Sequence, residues 1–232
     1  EGDDNPAWTH GDQVSGILAG AGNRDPLFRG MAAGVDLYVT TYSPDFYDGT
    51  LDLHIERDVL VTNSSYTDGC NAGYTLVTQV IDDQLYRYPT LAHVFAAGNS
   101  GQSDCGYGAG NHWGTITGGH KQGKNAITTG NLAVDGSIYR TSSRGPAFDG
   151  RIKPDLCAHG QGQGSTVNDH EYDSFGGTSA AAPGMAGIVA QLHQAYRELN
   201  GGSIAPTALL KSALLNTCNE LHTPGPDFRS GW

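Results

Sequence analysis

The chain has 232 residues, enough to bury a sizeable core, and a formal charge of −11, with 13 Lys and Arg against 24 Asp and Glu. That balance argues against nucleic acid and anionic membrane as partners, since both need basic patches. No apolar run approaches the roughly 18 residues of a membrane-spanning helix, and 34 glycines announce many tight turns.

In chain order, the polar loop Glu1-Gly2-Asp3-Asp4-Asn5-Pro6 precedes a helix that opens at His10 and carries Val14, Ile17 and Leu18 on its apolar side. A strand is predicted at Val35 to Thr40, then a loop from Tyr42 to Gly49, a short helix at Leu51 to Asp58 and a strand at Val59 to Asn63. Tyr74 to Tyr88 has helical spacing through Leu76, Val77, Val80, Ile81 and Leu85. Strands recur at Ala92 to Ala97 and Ala126 to Gly130. An apolar helical run covers Gly184 to Leu199, and Pro206 to Asn216 reads as a last helix with Pro at its first turn. This alternation predicts an α/β fold with a parallel sheet covered on both faces.

Three segments carry chemistry. Gly177-Thr178-Ser179-Ala180-Ala181-Ala182-Pro183 sets a hydroxyl among small residues at a helix start, where N–H groups without intrahelical partners would stabilise an anion forming beside Ser179. By itself the segment also suits a plain N-cap. Trp8-Thr9-His10-Gly11 puts an imidazole at another helix start, and His is the commonest general base near neutral pH. Leu91 to Gly101 reads as a buried strand ending in a Gly-Asn-Ser-Gly turn. Asn99 is thereby placed at the carboxyl edge of the sheet, where open α/β sheets bind ligands.

In these three motifs and their order the chain resembles the subtilisin-like serine proteases, the subtilases. His-Gly-x-x-Val-x-Gly begins at His10, Ala-Ala-Gly-Asn-x-Gly contains Asn99, and Gly-Thr-Ser-x-Ala-x-Pro contains Ser179. Ser142-Ser143-Arg144-Gly145-Pro146 and Asp149 to Asp155 extend the resemblance, looking like the connecting strands before the serine loop. It implies a three-layer subtilisin-like α/β fold, with a mostly parallel sheet flanked by helices. It also implies a secreted serine endopeptidase acting on peptide or protein substrates, with Ser179 as nucleophile, His10 as general base and Asn99 as side-chain oxyanion donor. The chemistry requires no cofactor. Structural calcium is common in the family, but Asn23 and Asp25 are too sparse a ligand set to define a site.

The resemblance implies a triad Asp about 30 residues before the His, and only nine residues precede His10. Asp3 and Asp4 read as solvated loop charges. Asp12, at a place where the family usually has Thr, lies two residues past His10, where a helix turns its side chain away. The expectation is one peptidase domain over residues 1–232 that lacks its upstream Asp-bearing strand and stops just short of its carboxyl end. The alternative is an inert subtilase-like module that binds peptides without cutting them.

By the same resemblance, substrate would add as a strand beside Asn63 to Thr67, with Ser65, Tyr66 and Thr67 as contacts and Thr67 in place of a usual Gly. The Leu51 to Asp58 stretch is shorter than the family's surface helix, which would reduce one cleft wall. Gly177 and Thr178 would also touch substrate. The first specificity pocket would be lined by Ala96, Ala97 and Gly98, with part of Gln102 to Gly108 opposite, where Asp104 would either favour a basic side chain or face water. Cys70, Cys105, Cys157 and Cys218 allow three full pairings. Cys70 and Cys105, both just beyond strand ends, are the expected disulfide, whereas Cys157 and Cys218 suit either a disulfide or a small buried hydrophobe.

Overall fold

The structure, a computed structural model, describes residues 9–40, 46–66, 73–116, 118–221 and 224–232. Four short strands form a parallel sheet in the order β1 (Val61–Ser64), β2 (Ala92–Ala96), β3 (Ile127–Leu132), β4 (Leu156–His159). Register runs Val61 with Ala92, Val94 with Ile127 and Thr129 with Leu156. β2 is buried along its whole length, as expected of a central strand covered on both faces.

On one face lies the helix α4 (Thr178–Leu199), whose Ala182, Met185, Ala186 and Val189 pack on Val94, Ala96, Ile127 and Leu156. Leu210 of α5 (Thr207–Thr217) closes that core. The opposite face packs Phe95 and Leu91 against Ile81 and Leu85 of α3 (Leu76–Arg87). Each fully buried aliphatic or aromatic side chain contributes about 1.5–3 kcal/mol relative to exposure.

Several expectations change. Val35–Thr40 forms no strand: Val35, Leu37, Tyr38 and Val39 are exposed, without a paired neighbour among the described residues to hold them extended. The predicted loop up to Gly49 ends earlier, because α2 spans Phe46–Arg57. That helix is therefore longer than the Leu51 to Asp58 expectation, and the reduced cleft wall does not follow. Phe46 explains the early start, since its ring packs edge-on against Phe95 and Tyr47. α4 begins at Thr178, with Pro183 inside it at the sixth position, where only one intrahelical bond is lost. Ser142 to Pro146 and Asp149 to Asp155 lie outside the strands, and β4 follows them directly.

Three strands, β4 among them, have no counterpart in the predicted elements. β5 (Gln161–Thr166) and β6 (Tyr172–Gly176) form an antiparallel hairpin with a register shift between Gln161 and Gln163. Its first strand, Gln-Gly-Gln-Gly-Ser-Thr, has no apolar alternation and reads as a loop. Side chains fix it instead: Ser165 Oγ donates to the Gln13 carbonyl at 2.5 Å and Thr166 Oγ1 to the Asp12 carbonyl at 2.8 Å. Both acceptors lie in α1 (His10–Ala19), so the hairpin carries α1 on one side and leads into α4 on the other.

Candidate active site

Three elements deliver the site. His10 is the first residue of α1, Asn99 lies three residues past β2, and Ser179 is the second residue of α4. They meet in one cavity of about 330 Å³, lined also by Ser65, Tyr66, Ala96, Gly98 and Thr178. Residues 169 positions apart in sequence thus share one wall system, which follows from the parallel sheet placing every strand's carboxyl end at the same edge.

The chain reaches Ser179 through a sharp turn at Gly177, with φ 91° and ψ −177°. Only glycine adopts that conformation without strain. A Cβ there would also lie 3.1 Å from Asn99 Oδ1. The Thr178 N–H donates to Asn99 Oδ1 at 3.0 Å and the Thr178 hydroxyl to the same oxygen at 3.2 Å, while Thr178 Oγ1 accepts from the Gly98 N–H at 3.1 Å. Two donors on one oxygen fix which end of the carboxamide is which. They leave Asn99 Nδ2 without an acceptor among the described residues, beside a helix start whose first N–H groups have no intrahelical partners.

Ser179 Oγ donates to the Ser65 carbonyl at 3.2 Å, and no hydrogen bond joins it to His10 among the described residues. Ser65 and Tyr66 lie directly beyond β1, and Asn63 Nδ2 donates to Ser65 Oγ at 3.0 Å. The His10 ring packs edge-on against Phe175 of β6, with centroids 5.4 Å apart at 84°. Desolvation lowers its pKa below the ordinary 6.5, so the imidazole stays neutral further into acid than a free histidine. Among the described residues no carboxylate bonds to His10.

Ala97 is fully buried, and its N–H donates to the Thr129 carbonyl at 2.9 Å. Gly98 has φ 110°, and a Cβ on it would meet Ser143 Oγ at 2.9 Å. Ser143 thereby emerges as a support that the sequence did not single out: its N–H donates to the Gly98 carbonyl at 2.8 Å and its hydroxyl accepts from the Ser100 N–H at 3.0 Å. Phe175 was missed as well; the apolar residue two places before Gly177 was its only signal. Asp104 is exposed and its carboxylate accepts from the Gly106 N–H at 2.8 Å. Asp25 Oδ1 accepts from the Leu27 N–H at 2.9 Å, capping a short turn, and the described residues contain no group of three His, Cys, Asp or Glu able to hold a metal ion.

Cys105 is disulfide-bonded. Cys157 and Cys218 are free. Cys157 behaves as a packed hydrophobe: its sulfur fills the space over Gly130, 2.5 Å from where a Cβ would be, and burial pushes its thiol pKa up to about 12. Thr67 and Cys70 lie outside the described residues, as do Asp3 and Asp4.

A helix-start serine, a histidine and a carboxamide thus meet around one cavity at the edge of a parallel sheet. The chain belongs to the subtilase family (Peptidase_S8), whose model matches residues 2–232. It is 28% identical over 230 residues to subtilisin-like protease SBT6.1 of Arabidopsis thaliana, covering 93% of this chain and 20% of that protein. It is 37% identical over 88 residues to the C5a peptidase of Streptococcus pyogenes serotype M18, covering 37% of this chain and 8% of that protein. Alkaline elastase YaB of Bacillus sp. is 29% identical over 192 residues, covering 80% of this chain and 45% of that protein. The chain therefore spans less than half the length of each of these relatives. In fold it matches the Clostridium perfringens CspB protease with a TM-score of 0.80 at 17% identity, over 99% of this chain and 79% of that one. A psychrophilic protease matches with a TM-score of 0.73 at 21% identity, over 97% and 76%.

Proposed function

We propose that this chain is the peptidase domain, residues 1–232, of a secreted or otherwise extracytoplasmic serine endopeptidase that cleaves peptide bonds through an acyl-enzyme at Ser179. The observation that carries the reading is the convergence of His10, Asn99 and Ser179 on one cavity, with the Asn99 carboxamide oxygen tied to Thr178 and its NH2 group uncommitted. Substrate backbone lies along Ser65, Tyr66 and Thr67 and past Ala97, Gly98, Gly177 and Thr178, and draws the Ser179 hydroxyl from the Ser65 carbonyl toward His10. Ser179 Oγ attacks the scissile carbonyl as His10 takes its proton. The oxyanion accepts from the Ser179 N–H and from Asn99 Nδ2. Collapse breaks the C–N bond, His10 protonates the departing amine, and a water deprotonated by His10 then cleaves the ester.

Following the family resemblance, in which an Asp orients the base, we place that Asp outside these 232 residues and take the chain by itself as not competent. The chemistry needs no cofactor. The acidic balance argues for peptide or protein as the only macromolecular partner class, and no helix among the described residues is long and apolar enough to cross a membrane. A Cys70–Cys105 disulfide bracing the cleft entrance is supported by the bonded state of Cys105 and the free thiols of Cys157 and Cys218.

The second reading, an inert peptide-binding module, draws on the Ser179 hydroxyl being bonded to Ser65 rather than to His10. A fluorophosphonate probe separates the two. In the protein extended upstream to an Asp-bearing strand, the probe should label Ser179, identified in a tryptic digest, and turnover of a quenched peptide should exceed that of the 232-residue chain by about 10⁴-fold. Labelling of neither form would leave the binding module. Equal turnover of both would assign His10 an orienter within this chain, with Asp3 and Asp4 next to be tested.

A further inference from the structure

Only 13 Lys and Arg offset 24 Asp and Glu in this chain, yet two of the arginines meet without a counter-charge. The guanidinium carbons of Arg144 and Arg229 lie over the same indole ring, that of Trp113, at 6.0 and 5.3 Å from its centroid. Neither forms an ion pair with a carboxylate among the described residues. The nearest acid in sequence is Asp227, whose carboxylate accepts from the Arg229 and Ser230 N–H groups at 2.6 and 2.7 Å and from the Ser230 hydroxyl at 3.0 Å. Arg144 Nε is buried and has no hydrogen-bond partner.

Stacking on an indole uses the face of a guanidinium and leaves its in-plane N–H fork unspent. The two like charges share one ring and bond no carboxylate among the described residues, so an oxyanion within reach of both forks would be held twice over. Desolvation first, and the Arg229 charge second, lower the Arg144 pKa. The backbone holds the geometry. Gly145 N–H donates to the Phe228 carbonyl at 2.8 Å, locking the chain before Arg229 against the one after Arg144, and the Thr115 N–H donates to the Arg144 carbonyl at 2.8 Å, fixing the segment that carries Trp113.

We propose that Arg144 and Arg229, gathered on Trp113, form a binding site for a small oxyanion, a carboxylate or phosphate group. Arg144 and Arg229 are not among the residues that line the Ser179 cavity. Arg144 follows Ser143, whose N–H donates to the carbonyl of the cavity residue Gly98 at 2.8 Å. The group has two sources, an acidic side chain of a bound peptide or a free anion.

The test is titration of the full-length protein with inorganic phosphate at constant ionic strength, with sodium chloride as balance, read by thermal unfolding and tryptophan fluorescence. Saturable stabilisation is expected in the wild type. In Arg229→Gln, an exposed position that folding tolerates, the phosphate Kd should rise about tenfold, the loss of one charge-assisted contact. Without phosphate, Arg229→Gln should be no less stable than wild type, because a repulsion has been relieved. Stabilisation that tracks ionic strength alone, or an unchanged Kd in Arg229→Gln, overturns the proposal. Matched peptides containing Glu or Gln then identify the source. A Glu preference lost in Arg229→Gln assigns the site to substrate, and intact phosphate binding with no Glu preference assigns it to a free anion. Phosphate binding does not depend on turnover, so failure here is distinct from failure of the peptidase reading.

Discussion

At the scale of single residues, the decisive contact is between Asn99 and Thr178. A carboxamide that stabilises an oxyanion works only if it is already aimed, because reorganisation at the moment of reaction would consume the gain. Two Thr178 donors on Oδ1 hold it, and Thr178 Oγ1 in turn accepts from Gly98 N–H. In a catalytically competent form of the protein, Asn99→Ala should lower kcat by about 10²- to 10³-fold with little change in KM, since the bond tightens only as charge develops. A loss confined to KM would show that Asn99 only binds substrate. Thr178→Val should reproduce part of the kcat loss. It should also destabilise the fold by about 1–3 kcal/mol, because the buried Gly98 N–H loses its acceptor. The motifs single out His10, Asn99 and Ser179 in sequence, and the structure brings all three to one cavity because each sits at an element end on the same edge of the sheet. The structure adds a second role to Thr178 as the clamp on Asn99, because a hydroxyl serving one side chain and one backbone N–H leaves no mark in sequence spacing.

At the scale of elements, α1, α3, α4, α5 and the central strands are legible from their apolar residues, whereas α2, anchored by Phe46, is legible only in part. The hairpin β5–β6 is not legible, because it is held by hydroxyl-to-carbonyl bonds and by glycine rather than by an apolar face. Its importance lies in what it positions. A Cβ on Gly16 of α1 would collide with Thr166 Oγ1 and Ser165 Oγ, and would lie 2.8 Å from Thr166 N. Close approach at that one glycine lets Gln13 and Asp12 carbonyls reach the hairpin, and β6 in turn places Phe175 against the His10 ring. Gly16→Ala should therefore push α1 away from β5 and displace His10 at the helix start. The expected cost is about 1–3 kcal/mol of stability, from overpacking. Activity should fall as much as 10²-fold, since a shift near 1 Å in a catalytic group has that effect. Urea unfolding and kcat measured on the same preparation check both; a loss of stability with full kcat would mean that α1 adjusts without moving His10.

At the scale of the whole molecule, the packing of the sheet buries histidines as well as aliphatics. His93 in β2 has its ring against Thr62 Oγ1 at 2.5 Å and Gln84 Oε1 at 3.3 Å, and desolvation, then the charge of His54, lowers its pKa to about 4. Burial likewise brings His193 in α4 to about 4, with no partner for either ring nitrogen, and His120 to about 3, with the Lys121 and His93 charges adding to the effect. All three are lowered in the folded state, so below an ordinary pKa of 6.5 the unfolded chain takes up protons that the folded one refuses. Stability then rises with pH and is lost on acidification, beginning near pH 6.5 and continuing toward pH 4. Three such groups give a steepest slope of about 4 kcal/mol per pH unit, enough to exhaust a typical domain stability of about 5–15 kcal/mol before most carboxylates protonate. Urea midpoints measured at half-unit steps from pH 8 to 5 should fall continuously below about 6.5. His193→Leu should flatten that fall by about a third and should stabilise more at pH 5 than at pH 8, because it removes a buried group without a partner along with its proton uptake. A wild-type midpoint that stays level down to pH 5 would mean that these imidazoles are solvated in the folded protein, and that the sheet opens around them without unfolding.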